Sequence, residues 1–121
     1  MARFRLSRLA QADLARILAI SAERWGIEGR RRYAAMLAAA MRKVAADPEG
    51  PTTRARAELA PRLRCLHLQH TRADDTKAKV RRPVHIVYYR EIAPELIAIV
   101  RVLHERMEPS RHLRETSQDR D

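Results

Sequence analysis

The sequence predicts an α+β domain of order β-α-α-β-β-β, an antiparallel-rich sheet with a helical hairpin packed on one face. Three observations carry that reading. Leu96 to Leu103 is apolar at both alternating sets of positions, with only Arg101 interrupting. Strand side chains alternate between faces, so this stretch reads as a strand covered on both sides. Two long stretches before residue 47 repeat apolar residues at spacings of three and four, as amphipathic helices do. LRCLHL at 63–68 and VHIVYYRE at 84–91 then supply two more runs rich in β-branched or aromatic residues.

Taken in order, RFRLS at residues 3–7 is the first strand, and Ser7 stands where a helix N-cap is wanted. The first helix places Leu14, Ile17, Leu18, Ser21 and Trp25 on one stripe, with Gln11, Asp13, Arg16 and Glu23 elsewhere. Gly26 can take the left-handed conformation that ends it. The second helix, from about Glu28, has Tyr33, Leu37, Ala40, Met41 and Val44 on one face, and Arg30, Arg31, Arg42 and Lys43 on others. The two helices would each be roughly 27 Å long at 1.5 Å per residue. Matched lengths and a short joint argue for an antiparallel hairpin. DPEGP at 47–51 stops the second helix.

Residues 52–62 read as a polar connection with one helical turn near Arg56 to Leu59. Residues 69–83 read as a long, basic, mobile hairpin tip. The turn containing Pro94 leads into the strand at 96, and a short helix is expected after Pro109. The last three strands form an antiparallel meander, the first strand joins the same sheet, and the helical hairpin must cover one face.

A chain of 121 residues suits one domain, expected over 1–115 with a flexible tail at 116–121. The single Cys65 excludes an internal disulfide and a cysteine metal cage. MARFRLSRLA lacks the apolar core of a signal peptide, and the apolar run from Ala34 to Met41 is far short of the roughly 20 residues of a membrane span. A cytoplasmic location and no membrane partner are expected. The net charge of +10 favours acidic partners such as nucleic acid or an acidic protein, although a solvated Arg-rich surface is the plainer reading.

RLSRLAQADLARILAISAERWG, DPEGP, VHIVYYR and above all IAIVRVLHERMEPSRHL resemble the ParE branch of the RelE/ParE toxins of bacterial type II toxin–antitoxin systems. The resemblance spans about residues 3–113. It implies a cytoplasmic toxin that blocks DNA gyrase by binding and has no hydrolytic chemistry of its own. It also implies a cognate antitoxin, ParD-like, with a ribbon-helix-helix part and an acidic C-terminal segment that wraps the toxin. The basic segment Thr71 to Arg82 departs from the family, being longer than the short turn associated with ParE.

Two sets of site residues follow. His104, Arg106, Met107, Arg111 and Arg114, at the end of the last strand and beyond, are expected to contact the target. Leu14, Trp25, Tyr33, Arg64 and Tyr89 are expected to contact the antitoxin. Trp25 also has a plainer reading as core closure at the hairpin turn, which we favour. Tyr88 and Tyr89 point to opposite faces of their strand, one beneath the helices and one on an open face near Arg64 or Arg101. The alternative function is a RelE-like, ribosome-dependent mRNA endonuclease. There His104 would be the acid or base, and Arg101 and Arg106 would stabilise the phosphate. No second acid–base residue can be named beside His104. His67, His70, His85 and His112 are scattered, so neither a metal nor a cofactor is expected.

Overall fold

The computed structural model describes residues 2–74 and 82–116. The expected basic tip falls partly on 75–81, and the expected tail largely on 117–121; these lie outside the described residues. Five strands form one sheet in the order β1-β5-β4-β3-β2. They are β1 (Arg3–Leu6), β2 (Arg54–Ala55), β3 (Arg64–His67), β4 (His85–Ala93) and β5 (Leu96–His104). The meander β3-β4-β5 is antiparallel, and β1 lies parallel to β5, pairing Arg3 with Leu96 and Leu6 with Ile99. The two-residue β2 was not expected. It adds an edge to β3 by pairing Arg54 with Cys65, within what reads as a polar connection.

The expected covered strand is found. From Ile97 to Leu103 every residue of β5 is buried. Ile97, Ile99 and Val102 join the core under the helices. Ala98, Val100 and Leu103 join a second cluster with Leu63, Cys65, Tyr88 and Leu113 on the opposite face. That opposite face is therefore not open. It is closed by a turn at Arg56 to Ala60 and by α2 (Pro109–Thr116), whose Leu113 is buried there. Cys65 accordingly behaves as a small buried hydrophobe, and burial pushes its thiol pKa up.

Helix α1 (Arg8–Ala46) is interrupted at Gly26, whose φ of 74° and ψ of −174° are not helical. A straight helix of this length would reach about 58 Å, yet Ala10 near one end and Ala45 near the other belong to one core cluster. The two arms, 8–25 and 27–46, thus fold onto the same sheet face. Positive φ costs glycine little. A second glycine makes the bend tight: a Cβ at Gly29 would stand 2.3 Å from Trp25 Cβ. The second arm buries Tyr33, Leu37, Ala40, Met41 and Val44, as its periodicity predicts. At the start of the first arm, Ser7 caps α1 by accepting the Ala10 amide at 3.0 Å.

Tyr89 and Arg64 serve the stop segment. The Tyr89 hydroxyl donates to the Pro48 carbonyl, where Arg64 Nε also donates at 3.1 Å, and Arg64 Nη2 donates to Thr53 Oγ1 at 2.8 Å. After β3 the chain turns into a 3₁₀ helix, Leu68–Asp74, rather than directly into a loop. Leu68 and Thr71 are buried there, with Thr71 Oγ1 donating to the Leu68 carbonyl at 2.7 Å.

The bend generates a direct expectation. Gly29→Ala forces Trp25 or the backbone to move, and should lower unfolding stability by about 1–3 kcal/mol. Ile27→Ala, at a side chain 79% exposed, should change it by less than about 0.5 kcal/mol. Urea denaturation of both variants checks the pair.

Candidate functional site: a cleft between the bend of α1 and the free edge of β5

Strand β1 ends at Leu6, so among the described residues no strand pairs with the outer edge of β5 beyond Ile99. Side chains of the first arm take over there. Ser7 Oγ donates to the Val100 carbonyl at 2.8 Å, and Asp13 Oδ2 accepts the Val102 amide at 3.0 Å. The ladder with β4 carries a bulge at this point. Tyr88 pairs with Arg101 and Tyr89 with Ile99, which leaves Val100 as the extra residue.

Arg101 closes the arrangement. Its Nε donates to Asp13 Oδ2 at 2.8 Å and its Nη2 to Asp13 Oδ1 at 2.9 Å, a bidentate pair. Its Nη1 donates to the His112 carbonyl at 3.0 Å, tying down α2. Asp13 is only 3% exposed and Arg101 5%. Sequence periodicity had placed Asp13 off the buried stripe, and the structure corrects that. The signal was legible only in hindsight, as a lone charge within an otherwise apolar strand and an acid one turn from Ile17.

Beyond this pair lies a cleft of about 680 Å³. Its apolar lining comes from Ile17, Ile20 and Trp25 on the first arm, Val102 and Leu103 on β5, and Met107. Arg16, Arg24, Arg32 and Arg82 stand around it, and Asp13 is its one acid among the described residues. Trp25, read as core closure, is instead 58% exposed at the bend. The two-glycine turn lifts it off the sheet. Ile20, Ile27 and Met107 are likewise exposed.

Tyr33 and His85 form the inner wall with His104. Tyr33 Oη accepts the Val84 amide at 3.2 Å and shares a second hydrogen bond with His85 Nδ1 at 2.6 Å. The rings of His85 and His104 meet edge to face at 5.4 Å. Burial, then the neighbouring His104, pull the His85 pKa down to about 4, so His85 is neutral at physiological pH. His104 Nδ1 accepts the Arg106 amide at 3.0 Å. Burial raises the Tyr33 pKa, so its hydroxyl remains protonated. Outside the cleft, His67 Nε2 pairs with Glu105 at 2.7 Å, and that hydrogen bond lowers the Glu105 pKa.

The structure therefore regroups the sequence-derived residues. His104 and Met107 share one cleft with Trp25 and Tyr33. Arg106 is exposed at the turn after β5, and Arg111 is exposed on α2. Arg114 lies on α2, and its side chain falls outside the described portion. Leu14 packs, half-buried, against the core. Tyr89 is completely buried and Arg64 is engaged with the 48–53 segment, so neither is presented to the cleft. Tyr88 is buried on the other face, so neither tyrosine of the pair is placed to stack on a base. No local pattern singles out His85, whose place in the cleft depends on packing alone.

A family profile described as the ParE toxin of the type II toxin–antitoxin system parDE matches residues 4–109. The chain belongs to the ParE toxin family. It is 32% identical over 111 residues to Toxin ParE1 of Mycobacterium tuberculosis strain CDC 1551 / Oshkosh, covering 92% of this chain and 97% of that protein. The same figures hold for Toxin ParE1 of strain ATCC 25618 / H37Rv. An antitoxin is the partner that membership in such a system implies. The α+β architecture, with helical arms on one face of a largely antiparallel sheet, agrees with the fold expected of a ParE toxin. No helix among the described residues is long and apolar enough to cross a membrane.

Two outcomes follow from this geometry. Asp13→Ala leaves Arg101 buried without its carboxylate and the Val102 amide without an acceptor, and should cost about 3–5 kcal/mol in urea unfolding. The double variant with Arg101→Met should recover part of that loss. For His85, the folded-state pKa lies below the unfolded value of 6.5. The unfolded chain then binds more protons between those values, so stability should fall as pH drops from about 6.5 to about 4. His85→Gln should flatten that limb of a stability–pH curve.

Proposed function

We infer that this ParE-family chain is a binding poison of DNA gyrase, held inactive in the cytoplasm by a ParD-like antitoxin with a ribbon-helix-helix part and an acidic C-terminal segment. The single observation that carries the reading is the state of Arg101. A phosphate-cleaving site needs an accessible guanidinium beside its acid–base residue. Here Arg101 is buried, with Nε and Nη2 bonded to Asp13 and Nη1 to the His112 carbonyl. His104 has a neutral His85 as its neighbour and, among the described residues, no carboxylate bonded to its ring. An apolar cleft with a basic border suits recognition of a protein better than hydrolysis.

His104, Arg106, Met107, Arg111 and Arg114 are the proposed gyrase contacts, at the end of β5 and along α2. The basic net charge would speed encounter both with the gyrase–DNA complex and with the acidic antitoxin.

The purified chain should inhibit supercoiling by gyrase, or accumulate its DNA-cleavage complex, while leaving RNA intact. Gyrase binding no stronger than that of a scrambled basic control would sink the reading. Codon-phased cuts in translated message, lost in His104→Ala with the fold retained, would replace it with the endonuclease.

A further inference from the structure

The face of the sheet turned away from the helical arms has a charge pattern of its own. Phe4 and Leu6 of β1 pack under the helices, so strand alternation sends Arg3 and Arg5 to the other face. Arg5 pairs with Ala98, and Ala98 pairs on its other side with Arg90. Ala98 belongs to the cluster on that second face. Residues paired directly across strands share a face, so Arg5 and Arg90 stand on either side of one small residue. Two strand spacings of about 4.8 Å set their backbones roughly 10 Å apart. The β2 side repeats the chemistry. Arg54 pairs with Cys65, another member of the second-face cluster, and exposed Arg62 directly precedes Leu63, a third. Among the described residues, Arg5, Arg62 and Arg90 make no side-chain hydrogen bond or ion pair. Of the acids at the margin, Glu58 is bonded to Arg56 at 2.7 Å and Glu108 to Ser110 at 3.0 Å. Glu91 and Glu95 lie toward the β4–β5 turn, beyond the Arg5–Arg90 row.

We propose that this second face binds the sugar–phosphate backbone of duplex DNA without reading its sequence. Arg3, Arg5 and Arg90 meet phosphates on the β1 side, and Arg54 and Arg62 on the β2 side. Charge complementarity selects a polyanion, because each phosphate neutralised by a guanidinium releases counterions condensed on the duplex. Contacts of this kind position a protein on DNA and carry no sequence information. Aromatic side chains decide between duplex and single strand. Single-stranded nucleic acid is held largely by bases stacked on aromatic rings. Here Tyr88 is only 2% exposed and Tyr89 is fully buried, so this face offers no such ring. A protein partner needs an apolar anchor near the centre of its interface. Ala98 and Leu63 are buried, whereas the large exposed apolar residues are Ile20, Trp25, Ile27 and Met107, at the bend and the cleft, and Ile92, toward the β4–β5 turn. The patch shares no residue with the cleft. The inference stands apart from the gyrase reading, because DNA binding by the chain is observed with no gyrase present.

A fluorescently labelled duplex of arbitrary sequence, about 20 base pairs long, is titrated with the full chain at salt from about 50 to about 200 mM, and anisotropy reports binding. Affinity should fall with salt along a log–log slope of about −0.9 for each phosphate neutralised. Arg5→Glu with Arg90→Glu should weaken binding at least about tenfold. Arg5→Gln with Arg90→Gln should make the slope shallower by about two. The control is Arg30→Glu with Arg42→Glu, the same change in net charge at exposed positions of the second arm, and it should weaken binding less than about threefold. Selective loss in the Arg5/Arg90 variants supports the proposal. Equal weakening by the two Glu pairs shows that binding follows net charge alone, and overturns it. Wild-type chain that leaves the duplex unbound at the lowest salt also overturns it, as does tighter binding of a single-stranded DNA or an RNA of the same length. Should the Glu pair at Arg5 and Arg90 fail to fold by circular dichroism, the Gln pair decides, and an unchanged slope in that pair overturns the proposal.

Discussion

The buried pair of Asp13 and Arg101 is the interaction on which the rest of the structure depends. It joins the first helical arm, the central strand and, through the His112 carbonyl, the C-terminal helix. It also replaces a missing strand. Where β1 stops, the Asp13 carboxylate and the Ser7 hydroxyl continue the hydrogen bonding of the β5 edge. Two charges taken out of water do not stabilise a fold merely by meeting. Here the carboxylate also accepts a backbone amide and the guanidinium also reaches a carbonyl, so the pair is well satisfied. Among the described residues no buried side-chain nitrogen or oxygen lacks a partner.

That pair has a chemical consequence. It engages the one arginine of the central strand, and it pairs Asp13, the one acid lining the cleft among the described residues. Around the cleft stand four arginines, an apolar lining and the neutral polar groups of Ser21, Tyr33 and His85. The bend at Gly26, made tight by Gly29, then determines how far the cleft opens, because it carries Trp25 and Ile27 outward instead of into the core. Stability and recognition are thereby separated. The core takes Ala10 and Ile17 from the first arm together with the second arm and the strands, while the bend leaves Trp25 and Ile27 exposed.

Much of the fold was legible because it depends on local periodicity. The doubly apolar run of β5, the stripe from Tyr33 to Val44 and the Ser7 cap all appear where short-range spacing places them. The site was less legible. Trp25 continues the helical stripe of Leu14, Leu18 and Ser21, but one residue with positive φ ends the geometry that the stripe assumes. Tyr89 and Arg64 looked like surface contacts because aromatic and arginine residues often are. In the structure they latch the segment around Pro48. What covers the second face was not legible, because Leu113 and the turn at Arg56 to Ala60 sit in short polar segments with no apolar periodicity to read.

Sequence pattern alone was enough for the main order of elements apart from β2, the double burial of β5, the helix break at Gly26 and, through resemblance, the ParE family. Each of these follows from residues close together in the chain or from a pattern read along it. The packed fold alone makes Asp13 and Arg101, 88 positions apart, partners. It also decided that Trp25, Tyr33, His85, His104 and Met107 share one cleft. Side-chain spacing specifies which face a residue occupies within its own element. Which faces of different elements meet is settled by packing the whole chain around one sheet.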